Sequence, residues 1–331
     1  MSFKDTLQYA LKKKQEVYAQ KKEVPGDDVD AGEKILFTGL DNSGKTSIIL
    51  ALQNKYSKIA ILQPTRQTER SAFTYLGNRI TRWDLGGQQR YRIAYLKSPG
   101  KYFDKTSVCV FVIDVQDKER IDEGVGYLKE VITMFKQLNI APPIYIFLHK
   151  ADPDWIQVVE DLQGTHLSSI GKKIRDAIGG TSKLFFKVTS IFDPWTIISA
   201  FSEVLLQLHP KSELVDHIIQ EFAKKVDAEG MVVLDNNALI LGQFYKNAGE
   251  KMNFEAITPY VLQIFENFRT ILKKNQKMAI TLDEGEYMFH AVKDPLHTEE
   301  RFVFIKTPLS RLNEDDIQEF GSLLSDLLSK K

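Results

Sequence analysis

The chain has 331 residues, 43% of them hydrophobic, and its 44 Lys and Arg balance 44 Asp and Glu. That length suits two domains, and the neutral balance leaves no electrostatic footprint for nucleic acid, so no nucleic-acid partner is expected. A single cysteine, Cys109 in the apolar run Val108–Ile113, excludes an internal disulfide and fits a cytoplasmic location; no apolar run has the length of a membrane span and no secretory signal is present.

Residues 1–22 carry a lysine-rich helical pattern. Phe3, Leu7, Leu11 and Tyr18 share one face, Lys4, Lys12, Lys13, Lys21 and Lys22 fill much of the rest, and Pro25-Gly26 ends it. The pattern suits a helix docked on protein, one frayed in solvent, or one held weakly on anionic lipid. Residues 1–30 are therefore taken as a helix and linker. A strand at Lys34–Thr38 follows, then Gly39-Leu40-Asp41-Asn42-Ser43-Gly44-Lys45-Thr46, then a helical run at Thr46–Gln53. A glycine, four free positions and Gly-Lys-Thr between strand and helix make a P-loop. Backbone N–H groups of Asp41, Asn42, Ser43, Gly44, Lys45, Thr46 and Ser47 are placed to converge on phosphate oxygens at a helix N-terminus. Lys45 would reach the terminal phosphates, and the Thr46 hydroxyl would bind Mg²⁺.

A polar segment from Gln63 to Ser71 comes next. It can order around a γ-phosphate and supply a second Mg²⁺ hydroxyl. Thr65, after Pro64, is the candidate, and Thr68 is the rival. Strands around Phe73–Tyr75 and at Arg79–Trp83 lead to Trp83-Asp84-Leu85-Gly86-Gly87-Gln88. Asp84 at a strand end can hold Mg²⁺ through water, Gly87 lets the backbone N–H approach a γ-phosphate, and Gln88 can orient an attacking water.

These runs resemble the Arf-type small GTPases, including the spacing from Thr65 to Asp84 and an aspartate, Asp41, where other GTPase branches use glycine. Arf proteins put an amphipathic helix on membranes through an acylated glycine after the initiator Met. Ser2 stands here, so myristoylation is not expected. The resemblance implies GTP and GDP as ligands, Mg²⁺ as cofactor, and slow intrinsic hydrolysis raised by an activating partner and reset by an exchange partner. Arg66, Arg70 and Arg90 lie in the expected mobile segments, but none reads as an arginine finger.

Helical runs at Arg90–Leu96 and Ile121–Leu138 flank a strand at Val108–Asp114. Strand Ile144–His149 then ends in His149-Lys150-Ala151-Asp152. Guanine presents two adjacent donors, which one carboxylate accepts together, so Asp152 reads guanine; adenine would face it with an unpaired acceptor. The Lys150 stem can cover the base, and His149 stands beside them. An ATP-using P-loop enzyme would require that Asp152 not read the base. After a helix at Leu167–Ile178, strand Leu184–Thr189 enters Ser190-Ile191-Phe192-Asp193. Both loops are similar to the Rag/Gtr GTPases, which carry His-Lys-x-Asp where most relatives have Asn-Lys-x-Asp. That resemblance implies that His149, Lys150, Asp152, Ser190 and Ile191 form the base pocket. A helix at Trp195–Leu208 completes an α/β P-loop GTPase domain at 31–209, with a mostly parallel sheet covered on both faces and motifs at the strands' carboxyl ends.

His209-Pro210-Lys211-Ser212 breaks the pattern. Residues 210–331 then read as helix Glu213–Val226, a hairpin of Met231–Leu234 and Ala238–Leu241, and helix Phe254–Lys273. Strands Lys277–Leu282, Tyr287–Val292 and Arg301–Lys306 follow, and a helix starts near Asn313. This α+β order resembles the roadblock/profilin-like domain that Rag/Gtr GTPases carry at this end. The resemblance implies a homo- or heterodimer paired through the long helix and the hairpin strand. It also leaves open a peripheral membrane location through a partner or residues 1–22. Two functions remain in view: a GTP-hydrolysing switch, and a nucleotide-dependent scaffold with negligible hydrolysis.

Overall fold

The computed structural model describes residues 32–52, 65, 68–75, 78–163, 166–179, 183–209, 212–235, 238–272, 277–282, 285–293 and 300–329. The helical pattern at 1–22, Pro64, Arg66 and the turns at 236–237 and 283–284 lie outside the described residues. Two compact units result, one from Gly32 to Leu208 and one from His209 onward.

The first unit runs β1 (Glu33–Gly39), α1 (Lys45–Ala51), β2 (Thr68–Tyr75), β3 (Asn78–Leu85), α2 (Gln89–Lys97), α3 (Pro99–Tyr102), β4 (Thr106–Asp114) and α4 (Ile121–Gln137). It continues with β5 (Ile144–His149), α5 (Pro153–Gln163), α6 (His166–Ile178), β6 (Leu184–Thr189) and α7 (Pro194–Leu208). Its sheet has the order β2-β3-β1-β4-β5-β6. All pairings are parallel except β2 on β3. Ile35, Leu36 and Phe37 are all fully buried, as a central parallel strand covered on both faces requires. Leu36 joins Phe111 and the α4 residue Leu128 in one core cluster. Phe37 points the other way, with its ring 5.9 Å from that of Phe201 in α7. Alternation along β1 thus feeds two helical layers, and the expected α/β class is what forms.

Three local readings change. The polar stretch expected to stay irregular through Ser71 becomes strand at Thr68, because an antiparallel edge tolerates polar side chains on its open face. Pro153–Gln163 forms α5, a helix absent from the sequence reading; Pro153 suits a first helical position, and the Ile156 N–H bonds the Asp152 carbonyl at 2.8 Å. A single turn at Pro99–Tyr102 is also new.

The second unit contains α8 (Ser212–Lys225), β7 (Gly230–Leu234), β8 (Ile240–Tyr245), α9 (Ala248–Leu272), β9 (Lys277–Leu282), β10 (Gly285–Lys293), β11 (Glu300–Lys306) and α10 (Glu314–Ser329). The sheet is antiparallel, in the order β8-β7-β11-β10-β9. Alternate residues of β10 face opposite layers. Tyr287 packs on Phe254 of α9 at 5.6 Å, while Val292 meets α10 so closely that a Cβ on Gly321 would lie 2.1 Å from it. Helix α9 starts six residues ahead of the expected Phe254, because Asn247 caps it, accepting the Glu250 N–H at 2.9 Å. The hairpin's second strand sits further along than Ala238–Leu241, at Ile240–Tyr245.

Phe254 is fully buried and touches Tyr245, Tyr287 and Phe304. Phe254→Ala should destabilise the second unit by about 3–5 kcal/mol. Urea unfolding followed in the full chain checks this; a loss below about 1 kcal/mol would mean that the aromatic cluster is not the unit's core.

Candidate functional site

Five strand ends of the first unit, those of β1, β3, β4, β5 and β6, meet at one edge of the sheet. The turn out of β1 needs two glycines in left-handed backbone, Gly39 at φ 140° and Gly44 at φ 93°, and a Cβ on Gly39 would lie 2.4 Å from the Val112 carbonyl oxygen. Gly44 caps α1 with no side chain serving its first turn. The leading N–H groups of that turn are free by helix geometry. Inside the loop Lys45 is 5% exposed, and its Nζ donates to the Gly39 carbonyl at 3.2 Å, the Leu40 carbonyl at 2.6 Å and Ser43 Oγ at 3.3 Å. Burial pulls its pKa down to about 8, while Asp84 opposes that shift.

Register places Asp84 there, because Phe37 of β1 pairs with Asp84 of β3. Asp84 is 3% exposed, and burial raises its pKa against the pull of Lys45. Thr46 Oγ1 donates to Asp84 Oδ2 at 2.8 Å and stands 2.8 Å from Thr65 Oγ1. A hydroxyl has one proton, so Thr65 donates to Thr46. Asp84 Oδ1 is buried without a hydrogen-bond partner. Two hydroxyls and a carboxylate with a spare buried oxygen form a hard-oxygen set that fits Mg²⁺. Between the rival threonines, Thr65 stands at Thr46, whereas Thr68 lies in β2 opposite Leu85. Gly86 and Gly87 are buried, and Gln88 is half-buried at the cap of α2. A Cβ on Gly87 would lie 2.1 Å from the Asp41 nitrogen, so only glycine fits against the P-loop.

The second half of the cleft comes from β5 and β6. Ser190 Oγ donates to Asp152 Oδ1 at 2.5 Å, and Gln116 Nε2 donates to Asp152 Oδ2 at 3.0 Å and to the Lys150 carbonyl at 2.7 Å. A carboxylate offers about four lone-pair positions, so two remain for a ligand. Lys150 has left-handed backbone at φ 62° and pairs with Asp114 at 2.7 Å. Ser190 is buried, and Ile191 is half-buried in the adjoining turn. His149 is 1% exposed, with Nδ1 3.0 Å from Thr189 Oγ1. Its ring lies against the P-loop, where a Cβ on Gly44 would come within 2.3 Å of Cδ2. Burial, aided by the Lys150 charge, lowers its pKa to about 4.

The structure brings the P-loop, Thr65, Asp84 and Gly87 together, and gathers His149, Lys150, Asp152 and Ser190. Sequence reasoning missed Asp114, Gln116 and Arg120. The signal was available, since Asp114 ends β4, a central strand whose carboxyl end must open onto the same cleft. Among the described residues no group of three or more His, Cys, Asp and Glu could hold a metal by itself, and no helix is long and apolar enough to cross a membrane.

Residues 34–261 match the Gtr1/RagA G protein conserved region. That stretch is more than half of the chain, and the protein belongs to the Gtr1/RagA G-protein family. It is also 34% identical over 119 residues to ADP-ribosylation factor-like protein 3 of Chlamydomonas reinhardtii, a match covering 36% of this chain and 63% of that protein's length. The solved Arl6 BBS3 small GTPase of Trypanosoma brucei, which holds the nucleotide analogue GppNp, aligns at 18% identity and a TM-score of 0.39, covering 52% of this chain and 95% of that one.

A neutral buried histidine makes stability depend on pH. The folded pKa near 4 lies below the ordinary 6.5, so the unfolded chain takes up a proton first. The contribution is present above pH 6.5 and should fall by up to about 3 kcal/mol as pH drops to 4. His149→Asn should flatten that window in denaturant melts at pH 7 and pH 4.5; an unchanged slope would rule the effect out.

Proposed function

We propose that the chain is a GTP-binding, GTP-hydrolysing switch. The observation that carries this reading is the meeting of Thr46, Thr65 and Asp84, from three separate segments, with Oδ1 of Asp84 left buried and unpartnered. Lys45 and the amides of Asp41–Ser47 hold the phosphates, Asp152 accepts the paired donors of guanine, and His149, Lys150, Ser190 and Ile191 shape the base pocket. Thr46, Thr65 and, through water, Asp84 are the residues that would hold Mg²⁺, which when bound neutralises phosphate charge. Gly87 presents its N–H to the γ-phosphate, and Gln88 orients the attacking water. Intrinsic hydrolysis is slow in this reading, and an activating partner adds about 10³–10⁵ in rate.

Residues 210–331 serve as a roadblock-like pairing domain after a GTPase domain at 31–209. Two observations support pairing. Helix α9 exposes Tyr260 at 68% and Ile264 at 42%, four residues apart on one face, and Met252 at 70% eight residues before Tyr260. Among the described residues, strand β8 is an edge of its sheet, the kind of edge that a further strand can extend. A second roadblock-like unit, from another copy or a different protein, covers both.

Lys45→Ala should abolish binding of fluorescent GDP and GTP analogues; retained affinity would remove the site. Gln88→Leu should slow single-turnover GTP hydrolysis at least about tenfold with binding intact. Equal rates would instead favour a scaffold that binds nucleotide without using it. For pairing, Tyr260→Asp with Ile264→Asp should abolish association of the full chain in light scattering, with itself or with a roadblock-like partner added to it, and association unaffected by the change would count against this face.

A further inference from the structure

Gly87 is held from behind by a chain of charged groups that neither motif contains. Arg92 of α2 is 8% exposed and donates from Nε to the Gly87 carbonyl at 2.9 Å. Its Nη2 is paired with Glu123 Oε1. The other oxygen of Glu123 takes Arg120 Nε at 2.9 Å. Arg120 then reaches the P-loop, with Nη2 2.7 Å from Asp41 Oδ1 and Nη1 3.4 Å from the Asp41 carbonyl oxygen. The circuit closes where it began, because Gly87 itself rests on the Leu40–Asp41 peptide. Arg92 also lies 5.0 Å over the ring of Tyr127, whose hydroxyl is 3.0 Å from Thr38 Oγ1 at the end of β1. Burial would raise Asp41, but the Arg120 hydrogen bond and charge prevail and hold its carboxyl below the usual range.

We propose that Arg92, Glu123 and Arg120 form a clamp that holds the Gly87 peptide on the P-loop, making them positioning residues for the terminal-phosphate end of the site. The proposal rests on the guanine-nucleotide reading above. The physical case is geometric. A carboxylate shared by two planar guanidinium forks fixes both in orientation. One fork fixes the Gly87 carbonyl, and the other fixes the P-loop residue against which Gly87 is packed. Thr65 is at the same time closed onto Thr46. Both segments that would touch a γ-phosphate are thus drawn to the loop together. A diphosphate gains nothing from that arrangement, so the clamp acts on the preference for the triphosphate rather than on nucleotide binding as a whole.

The test uses the full chain, GDP, and a non-hydrolysable GTP analogue in competition titrations. Glu123→Gln, an isosteric change at a partly exposed site, should weaken analogue binding about tenfold while GDP affinity stays within about twofold. Arg92→Lys, which keeps charge but loses the fork, should show the same split. Equal loss for both nucleotides, no change, or a gain for the analogue would overturn the proposal. Amide hydrogen exchange at Gly87 and Gln88, measured without added nucleotide, reads the clamp independently. Glu123→Gln should speed it about tenfold, and unchanged exchange would overturn the clamp. A wild-type chain that binds neither nucleotide would end the guanine-nucleotide reading, while the exchange result would still decide whether the clamp exists.

Discussion

The site depends on two opposite charges buried within each other's electrostatic reach. Lys45 and Asp84 are each nearly removed from water, and desolvation disfavours the ionised form of both. Each offsets part of the other's desolvation, and carbonyls hold the Lys45 ammonium while the Thr46 hydroxyl serves one oxygen of Asp84 and leaves the other open. Such a pair is a poor source of stability but a sensitive anchor of geometry. It requires β3 to lie in one register beside β1, with Phe37 opposite Asp84. A slip of one residue would turn Asp84 to the other face of the sheet and leave Lys45 facing apolar side chains.

That anchor explains which parts of the protein were legible in the sequence. The P-loop can be read because its glycines, lysine and threonine are contiguous, and each is needed for a backbone or phosphate reason at its own position. Asp84, His149 and Ser190 can be placed because they terminate apolar runs, and parallel strands present their carboxyl ends on one side. Pro64 and the interval to Asp84 favour Thr65 over Thr68 in the sequence; the structure adds that Thr68 pairs opposite Leu85, in a strand whose polar composition resembled a loop. Arg92, Glu123 and Arg120 were illegible for a different reason. A charged residue on a helix ordinarily faces water, and nothing local distinguishes Glu123 from Asp122 beside it. The partnerships span 31 residues for Arg92 with Glu123 and 79 for Arg120 with Asp41, so only the closed sheet reveals them.

The second unit shows the same limit in its helices. Helix α10 was readable from its start, where Asn313 and Asp316 cap each other's backbone N–H groups. Helix α9 was not, although Asn247 with Glu250 three residues on is a similar signal. Gly249 within its first turn argues against helix locally, and burial of Phe254 between Tyr245, Tyr287 and Phe304 outweighs it.

His149 joins the two halves of the cleft. An amide at this position could donate and accept at once from one end of the side chain, whereas a neutral imidazole divides those roles between opposite ring edges. Here Nδ1 is engaged with Thr189, in the strand that leads to the base loop, and the opposite edge of the ring is pressed onto Gly44 of the P-loop. A rigid ring spanning from β6 to the phosphate loop fixes their separation by packing rather than by a hydrogen bond to the loop. The absence of a Cβ on Gly44 makes room for it. One glycine therefore serves two constraints, a left-handed turn for the P-loop and a flat seat for the ring, so the two halves of the cleft are held in register by a contact that neither motif shows alone.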